Sequence, residues 1–159
     1  MSRISTCLWF DRDGEAAARF YTSLLPNSRI DKVTPYKADT PGGKTGDTMI
    51  VDFTLDGQRY QALNGGPVFK HSAAASIIVL TEDQAETDRL WHAFLDGGGT
   101  PVQCGWLTDR WGLSWQIMPR RLVELTIDAD GDSARRATEA MLGQIKIDIA
   151  EIERAAASA

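Results

Sequence analysis

Two stretches of this sequence, about 70 positions apart, have the same order of apolar and polar residues. Leu8 lies 70 positions before Ile78, and a helix pattern that includes Phe20 returns at the same separation around Leu90. A short apolar run precedes each helix pattern, and the polar break between them holds helix-capping residues. Units repeat in this way where one unit cannot bury its apolar face alone. The repeat therefore predicts a fold made of two similar modules.

Each module is predicted to begin with a strand and a helix and to end with further strands. Alternating or β-branched apolar residues predict strands at residues 4–10, 30–36, 48–55, 58–63, 76–80, 102–108 and 113–118. The first predicted helix stops at Pro26, and the second covers residues 85–96 and stops at three glycines. The first module has the order βαβββ, and the second, in which three strands are marked, is interpreted as a repeat of the same βαβββ unit.

Short polar segments mark the predicted helix starts and turns. Asp11 or Asp13 can cap the first helix, and Thr81 with Gln84 has the spacing of a capping box for the second. Asp109–Gly112 is predicted to be a tight turn, so Asp109 and the glycine are assigned to turn formation and not to catalysis.

An alanine-rich tail follows the second module. Asp132 or Ser133 is predicted to cap a helix that runs to about Leu142, Gly143 breaks it, and Asp148 caps a last short helix. The apolar side of this tail must be buried either on the sheet or on a second subunit, and the sequence leaves both open. We expect the first module in residues 1–66, the second in residues 67–122 and the tail in residues 123–159.

Composition limits the partners and the compartment. The net charge is −5, which argues against a nucleic-acid or anionic-membrane binder because such proteins use Lys and Arg against phosphate. No apolar run approaches the ~20 residues of a membrane span. The start of the chain enters a strand pattern directly and carries no signal-peptide pattern, and there are only 2 cysteines. We expect a reduced, cytoplasmic protein.

Several motifs resemble one protein superfamily. The βαβββ repeat resembles the vicinal oxygen chelate superfamily of glyoxalase, bleomycin-resistance and extradiol-dioxygenase proteins. Within it, the chain resembles the PhnB-like proteins often labelled 3-demethylubiquinone-9 3-methyltransferase. The resemblance is carried by Leu8–Asp11, Phe20–Tyr21, Leu63–Pro67 and, above all, Cys104–Pro119. It implies an α+β fold in which paired βαβββ modules form a cupped, mostly antiparallel sheet as one glyoxalase-like domain with a C-terminal helical tail, and a homodimer.

The resemblance also implies positions for metal ligands, which members of the superfamily occupy with His, Gln and Glu. By counting, these positions fall on Thr6, on Ala74 or Ser76, and on Gln116. Hydroxyl and amide groups bind a divalent ion weakly without a carboxylate or an imidazole beside them. His92 is predicted on an exposed helix face. We therefore expect no metal and no other cofactor.

A ligand cavity is still expected in the sheet. Side chains alternate along a strand, so if Gln116 faces the cavity, Ser114 and Met118 face it too. Trp115 and Ile117 then face the helix layer. The alternative is that Gln116 and Ser114 only satisfy each other in a closed core. The candidate cavity residues are Thr6, Leu8, Ala74, Ser76, Ser114, Gln116 and Met118, and the candidate mouth residues are Asn64, His71, Trp106 and Arg110.

The leading hypothesis is a protein that binds a small, partly apolar molecule in this cavity without a metal, with its catalytic residues and activity unassigned. A second hypothesis is a metal-dependent lyase, isomerase or dioxygenase, which an acidic side chain near His71 would favour. A third is a structural or regulatory dimer with a filled core. Methyl transfer, as in the family label, lacks a donor-binding motif, because Gly97–Gly99 follows a predicted helix and no helix follows Asn64–Pro67.

Overall fold

The structure is a computed structural model that describes residues 2–158. It divides into two compact units, of which the first ends at His71 and the second begins at Ser72. Unit 1 contains β1 (Thr6–Phe10), α1 (Gly14–Leu24), β2 (Arg29–Pro35), β3 (Thr48–Leu55) and β4 (Gln58–Asn64). Unit 2 contains β5 (Ser76–Thr81), α2 (Gln84–Asp96), β6 (Thr100–Pro101), β7 (Trp106–Thr108), β8 (Ser114–Pro119), α3 (Arg120–Thr126), α4 (Gly131–Leu142) and α5 (Ile149–Ala157).

Each unit has a four-stranded mixed sheet with a helix on one face. The strand order is β1-β4-β3-β2 in sheet 1 and β5-β8-β7-β6 in sheet 2. The first strand of each module pairs parallel to the last one, and the other pairs are antiparallel. The helix-covered faces hold the cores, where the Tyr21 ring lies 6.3 Å from Phe53 and the Phe94 ring 4.8 Å from Trp115. The predicted α+β fold of paired βαβββ modules with a helical tail is confirmed.

The segment predicted as one strand over residues 102–108 is instead a turn followed by β7. Cys104 and Gly105 have positive φ angles of 58° and 79°, which an extended strand does not contain. Val102 donates its N–H to the carbonyl of Trp106 at 2.9 Å, so the chain reverses between β6 and β7. The apolar pattern alone gave no sign of the reversal, because only Gly105 is a typical turn residue.

The 70-residue repeat aligns buried positions in the two helices, but in the first strands of the two modules it aligns a buried position with an exposed one. Tyr21 and Trp91 are 70 positions apart, and both are buried in their helices. Leu8 and Ile78 have the same separation, yet Leu8 is 7% exposed on the helix-covered face whereas Ile78 is 55% exposed on the opposite face. Three residues separate β1 from α1, and two separate β5 from α2. β5 is one residue longer than β1, however, so Ile78 precedes Trp91 by the same number of positions as Leu8 precedes Tyr21. The face that each strand turns toward its helix therefore follows from its pairing with the last strand of its module and not from the length of the connection.

Both helix starts are capped differently from the prediction. The Asp13 side chain makes no capping hydrogen bond, and the N–H of Gly14 donates to Oδ1 of Asn64 instead, so the predicted local cap of α1 is wrong. In α2, Asp83 is the N-cap instead of Thr81, and a reciprocal pair of side-chain caps forms around it. The carboxylate of Asp83 accepts the N–H of Glu86, and the carboxylate of Glu86 accepts the N–H of Glu82. These caps satisfy backbone donors that have no partner within their helices.

The tail forms three helices that pack together within unit 2. Gly143 ends α4 and Asp148 caps α5 by accepting the N–H of Glu151, as predicted, whereas α3 was not predicted. The tail buries its apolar side in the same chain, which was one of the two alternatives. Met118 of β8 packs against the resulting tail cluster, whose buried members are Leu122, Ala137, Ile147, Ile152 and Ala156.

None of the helices in the described part of the chain is long and apolar enough to cross a lipid bilayer.

Candidate functional site

The sheet 2 face opposite α2 brings together several predicted site residues. Trp115 and Ile117 of β8 are buried toward α2, so the intervening Gln116 points to the other side, as predicted. The strand pairing of Gln116 with Trp106 and Ile78, and of Ser114 with Ser76 and Thr108, places all of them on that same side. We call this side the open face of sheet 2, and its residues are Ser76, Ile78, Leu80, Trp106, Thr108, Ser114, Gln116 and Met118.

The polar centre of the open face is a pair of side chains. Nε2 of Gln116 donates to Oγ of Ser76 at 2.9 Å. The alternative in which Gln116 pairs with Ser114 is not observed, because the long Gln116 side chain reaches diagonally to the neighbouring strand while Ser114 lies opposite Ser76. Oε1 of Gln116 has no hydrogen-bond partner among residues 2–158. One amide oxygen and the Ser76 hydroxyl hydrogen are therefore left for another molecule.

An apolar strip on β5 borders this polar pair. Ile78 is 55% exposed and Leu80 is 41% exposed, whereas Ile117 on the helix-covered face is fully buried. Neither β5 residue was predicted to be a site residue, because the β5 run is apolar at successive positions and gives no visible alternation. The signal that could have found them is their strand pairing with Gln116 and Met118. The open face therefore combines a hydrogen-bonding centre with apolar surface.

Three predicted cavity residues lie elsewhere. Thr6 and Leu8 are on the helix-covered side of sheet 1, opposite Tyr60 and Ala62, because the strand pattern is shifted by one residue. On β1 it is Cys7 and Trp9 that point away from α1. Ala74 is exposed before β5 begins, and its N–H donates to Oγ of Ser72.

Two predicted mouth residues, Asn64 and His71, belong to unit 1. Asn64 is 6% exposed and is fully engaged: Oδ1 accepts the N–H of Gly14, Nδ2 donates to the carbonyl of Thr48, and its own carbonyl accepts the Tyr36 hydroxyl. It lines one side of a cavity of about 500 Å³ near Lys44. The His71 ring lies 5.5 Å from Phe10, and its buried Nε2 has no partner in the described structure.

The remaining mouth residues lie in or beside the turn before β8. Arg110 is exposed and lies 5.1 Å from the centre of the Trp111 ring, and Trp106 is half-buried on the open face. Asp109 is 4% exposed and accepts the N–H groups of Trp111 and Leu113 and the indole N–H of Trp115. Asp109 therefore holds the turn together, as predicted.

The residues do not fit the metal site that the resemblance implies. Within residues 2–158, no group of three or more His, Cys, Asp or Glu side chains is placed to hold a metal ion. The open face of sheet 2 offers Ser76 and Gln116, which are neutral oxygen and nitrogen groups, and the counted position Thr6 lies on the helix-covered side of sheet 1. Divalent first-row metals are typically held in proteins by imidazole or carboxylate ligands.

Other hollows of the molecule are lined by different residues. A cavity of about 610 Å³ lies in unit 2 between Gln84 and the tail, and a hollow of about 840 Å³ lies in unit 1 near Arg29 and Arg59. Neither is lined by the residues of the open face. We place the candidate site on the open face because it alone joins apolar exposed residues to the predicted Gln116 and Ser76.

Comparison with known proteins identifies the family of this chain. The model of the family described as 3-demethylubiquinone-9 3-methyltransferase matches residues 2–118. The chain belongs to this family. A known structure from Bacillus cereus, described as a putative 3-demethylubiquinone-9 3-methyltransferase, PhnB protein, is 31% identical with a TM-score of 0.66 and covers 74% of this chain and 99% of its own. The predicted PhnB-like membership is thereby confirmed.

Two further known structures are similar to the chain, and the first of them shares its fold. Protein PA1353 from Pseudomonas aeruginosa is 20% identical, has a TM-score of 0.59, and covers 72% of this chain and 95% of its own. A glyoxalase/bleomycin resistance protein from Albidiferax ferrireducens is 16% identical, with a TM-score of 0.44 and coverage of 72% of this chain and 96% of its own. No curated protein matches the chain. The family match ends at residue 118, so α3, α4 and α5 lie outside it.

Proposed function

We propose that this family member binds a small, partly apolar molecule on the open face of sheet 2. The observation that carries the proposal is the Gln116–Ser76 pair beside the exposed Ile78 and Leu80. Small-molecule sites combine apolar surface with a few polar groups that fix orientation. A primary amide group suits this pair, since its N–H can donate to Oε1 of Gln116 and its carbonyl can accept the Ser76 hydroxyl.

We further propose that binding does not depend on a metal. Gln116 and Ser76 recognise a neutral polar group by hydrogen bonds, and their chemistry suits that task better than coordination of a cation. The prediction is that Ni²⁺, Mn²⁺ and Zn²⁺ titrated into the protein produce no stoichiometric heat and leave amide binding unchanged. A metal that bound at one equivalent and strengthened amide binding would contradict this part of the proposal.

Methyl transfer is not the activity that we propose, although the family description contains it. Gly97 and Gly98 follow α2 and close it by donating to carbonyls of the helix. Gly65 and Gly66 follow β4, and within the described chain the next helix after them begins only at Gln84, beyond β5. A nucleotide-type methyl donor is usually held where a strand leads through a glycine-rich loop into a helix.

The homodimer implied by the family resemblance also stays a prediction. Exposed Ile78 and Leu80 would suit contact with a second copy as well as contact with a ligand. Sedimentation velocity distinguishes subunit contact from ligand contact when it is run over a range of concentrations on the wild type and on Ile78→Asp. A dimer that Ile78→Asp dissociates would favour the subunit contact.

The proposed binding can be tested by NMR titration with butanamide, a short amide with one polar group and a hydrocarbon chain. Saturable shifts are expected at the Gln116 side-chain amide and at the Trp106 indole N–H. Loss of one hydrogen bond in Gln116→Ala should weaken binding by about tenfold. Gln103→Ala is the matched control, because Gln103 is exposed in the turn before β7. Absence of any saturable shift would contradict the proposed function.

A further inference from the structure

We propose that the linker between α4 and α5, residues 144–148, limits the length of ligand that the open face accepts. The inference rests on the proposed function and adds a specificity-determining element to it. This linker belongs to the tail, which lies beyond the family match at residues 2–118. It would make Met118 and Ile147 an end wall of the site, past which the apolar part of a ligand cannot extend.

Met118 joins the open face to the tail. Its side chain is on the same side of β8 as Gln116, and it packs against the tail cluster that contains Ile147. Gly105 shows how close this contact is. A Cβ atom built on Gly105 would lie 3.2 Å from Sδ of Met118 and 3.0 Å from Cγ1 of Ile147. There is therefore no free space between the end of the open face and the linker at this point.

The linker is fixed to the sheet by main-chain hydrogen bonds. The N–H of Cys104 donates to the carbonyl of Gln144 at 2.9 Å, and the N–H of Gly105 donates to the carbonyl of Ile145 at 2.8 Å. Both donors lie directly before Trp106, which is on the open face opposite Gln116. The linker is thus attached at the same end of the strands as Met118.

A second attachment comes from α2. The Gln84 side chain donates from Nε2 to the carbonyl of Ile147 and accepts the N–H of Ile149 at Oε1, each at 2.9 Å. Lys146 pairs with Asp88 at 2.5 Å, and this hydrogen-bonded ammonium keeps the pKa of Asp88 below its usual value. Gln84 is on a helix and not on the open face, so it can affect a ligand there only by positioning the linker.

The strand geometry gives the expected length. Gln116 and Met118 are two residues apart, which is about 7 Å at the rise of ~3.3 Å per residue in a strand. A hydrocarbon chain with C–C bonds of ~1.5 Å covers this distance with roughly five carbons. The inferred ligand class is therefore a polar head group that binds Gln116 and Ser76 and carries a short hydrocarbon chain directed toward Met118.

A series of straight-chain primary amides, from acetamide to octanamide, tests the inference by NMR titration of the intact protein. Affinity of the wild type should rise about fourfold per methylene and then stop rising near pentanamide. In Met118→Ala the rise should continue for about two more carbons. In Gln84→Ala the short amides should bind as in the wild type while the longest ones gain several-fold. Met141→Ala is the control. Met141 contacts the same cluster from α4, so this substitution should leave the chain length at which affinity stops rising unchanged.

The outcomes separate the two proposals. Binding with the same length limit in the wild type, Met118→Ala and Gln84→Ala would overturn the inferred wall and leave the proposed function standing. No saturable binding at any chain length would overturn the proposed function, and the wall with it. A limit that moves in Met118→Ala and Gln84→Ala but not in Met141→Ala would support the wall.

Discussion

Gly14 donates its backbone N–H to Oδ1 of Asn64 at 2.8 Å, across a separation of 50 positions in the sequence. The contact is possible only because residue 14 has no side chain, since a Cβ atom there would lie 2.7 Å from the same oxygen. The last residue of β4 thus caps the helix that follows β1. This hydrogen bond therefore links the first residue of α1 to the last residue of β4.

We expect Asn64→Ala to lower the free energy of unfolding by about 2 to 3 kcal/mol, because it removes the buried cap of α1 and leaves the partly buried carbonyl of Thr48 without its partner. Asp13→Ala is the control. Its side chain occupies the N-cap position without a capping bond, so the change should stay within about 0.5 kcal/mol. Urea unfolding of both variants measures the difference, and a larger cost for Asp13→Ala would contradict this assignment.

The shifted register predicts opposite results for two positions that the repeat aligns. Leu8→Asp should destabilise unit 1 by more than about 3 kcal/mol, because it places a charge against the helix-covered core. Ile78→Asp should cost less than about 1 kcal/mol, because that side chain is exposed. Thermal unfolding monitored by circular dichroism checks both variants. Equal losses at the two positions would mean that both strands present the same face.

The turn before β8 should depend on the charge of a buried carboxylate. Asp109→Asn should lower the free energy of unfolding by about 2 to 4 kcal/mol, because an amide cannot accept three donors and its own N–H₂ would face a donor. Asp96→Asn, at the exposed end of α2, should change it by less than about 0.5 kcal/mol. Chemical denaturation gives both values. An Asp109→Asn protein as stable as the wild type would refute the role of this side chain.

Docking of the α4–α5 linker should weaken in acid. Lys146 and Gln84 donate to Asp88 and hold its pKa below the ordinary value of 3.8. A lowered pKa in the folded state means that the contribution is fully present above about pH 4 and is lost as the pH falls through the folded-state pKa. The stability difference between the wild type and Lys146→Met should therefore be constant near neutral pH and shrink below about pH 4. Lys37→Met, at an exposed position, should give a flat difference, and a flat difference for Lys146→Met as well would contradict the pairing.

Local patterns predicted the parts of the fold that depend on local contacts. The alternation in β8 correctly separated Gln116 from Trp115 and Ile117, and Gly143 and Asp148 correctly marked the ends of the tail helices. Each of these signals involves residues a few positions apart. Periodicity and capping chemistry act over that range, so they can be seen in a single sequence.

The errors came from long-range partners and from single-residue differences. The cap from Asn64 has no local signal, because the local candidate Asp13 is a suitable residue in the expected place. The exposure of Ile78 depends on the pairing of β5 with β8, which places Ile77 beside the buried Trp115 and leaves Ile78 on the other face, and an apolar run does not reveal this. The helix α3 was not predicted, although Pro119 stands at its N-cap, near the helix start where proline is well tolerated.

The attachment of the linker to Cys104 and Gly105 has a consequence for sequence divergence. Its acceptors are the main-chain carbonyls of Gln144 and Ile145, which every residue type possesses. Descendants of this chain could therefore replace the side chains of the linker many times and still keep its path beside β7. The side chains of such a segment can diverge while its main-chain hydrogen bonds to Cys104 and Gly105 are retained.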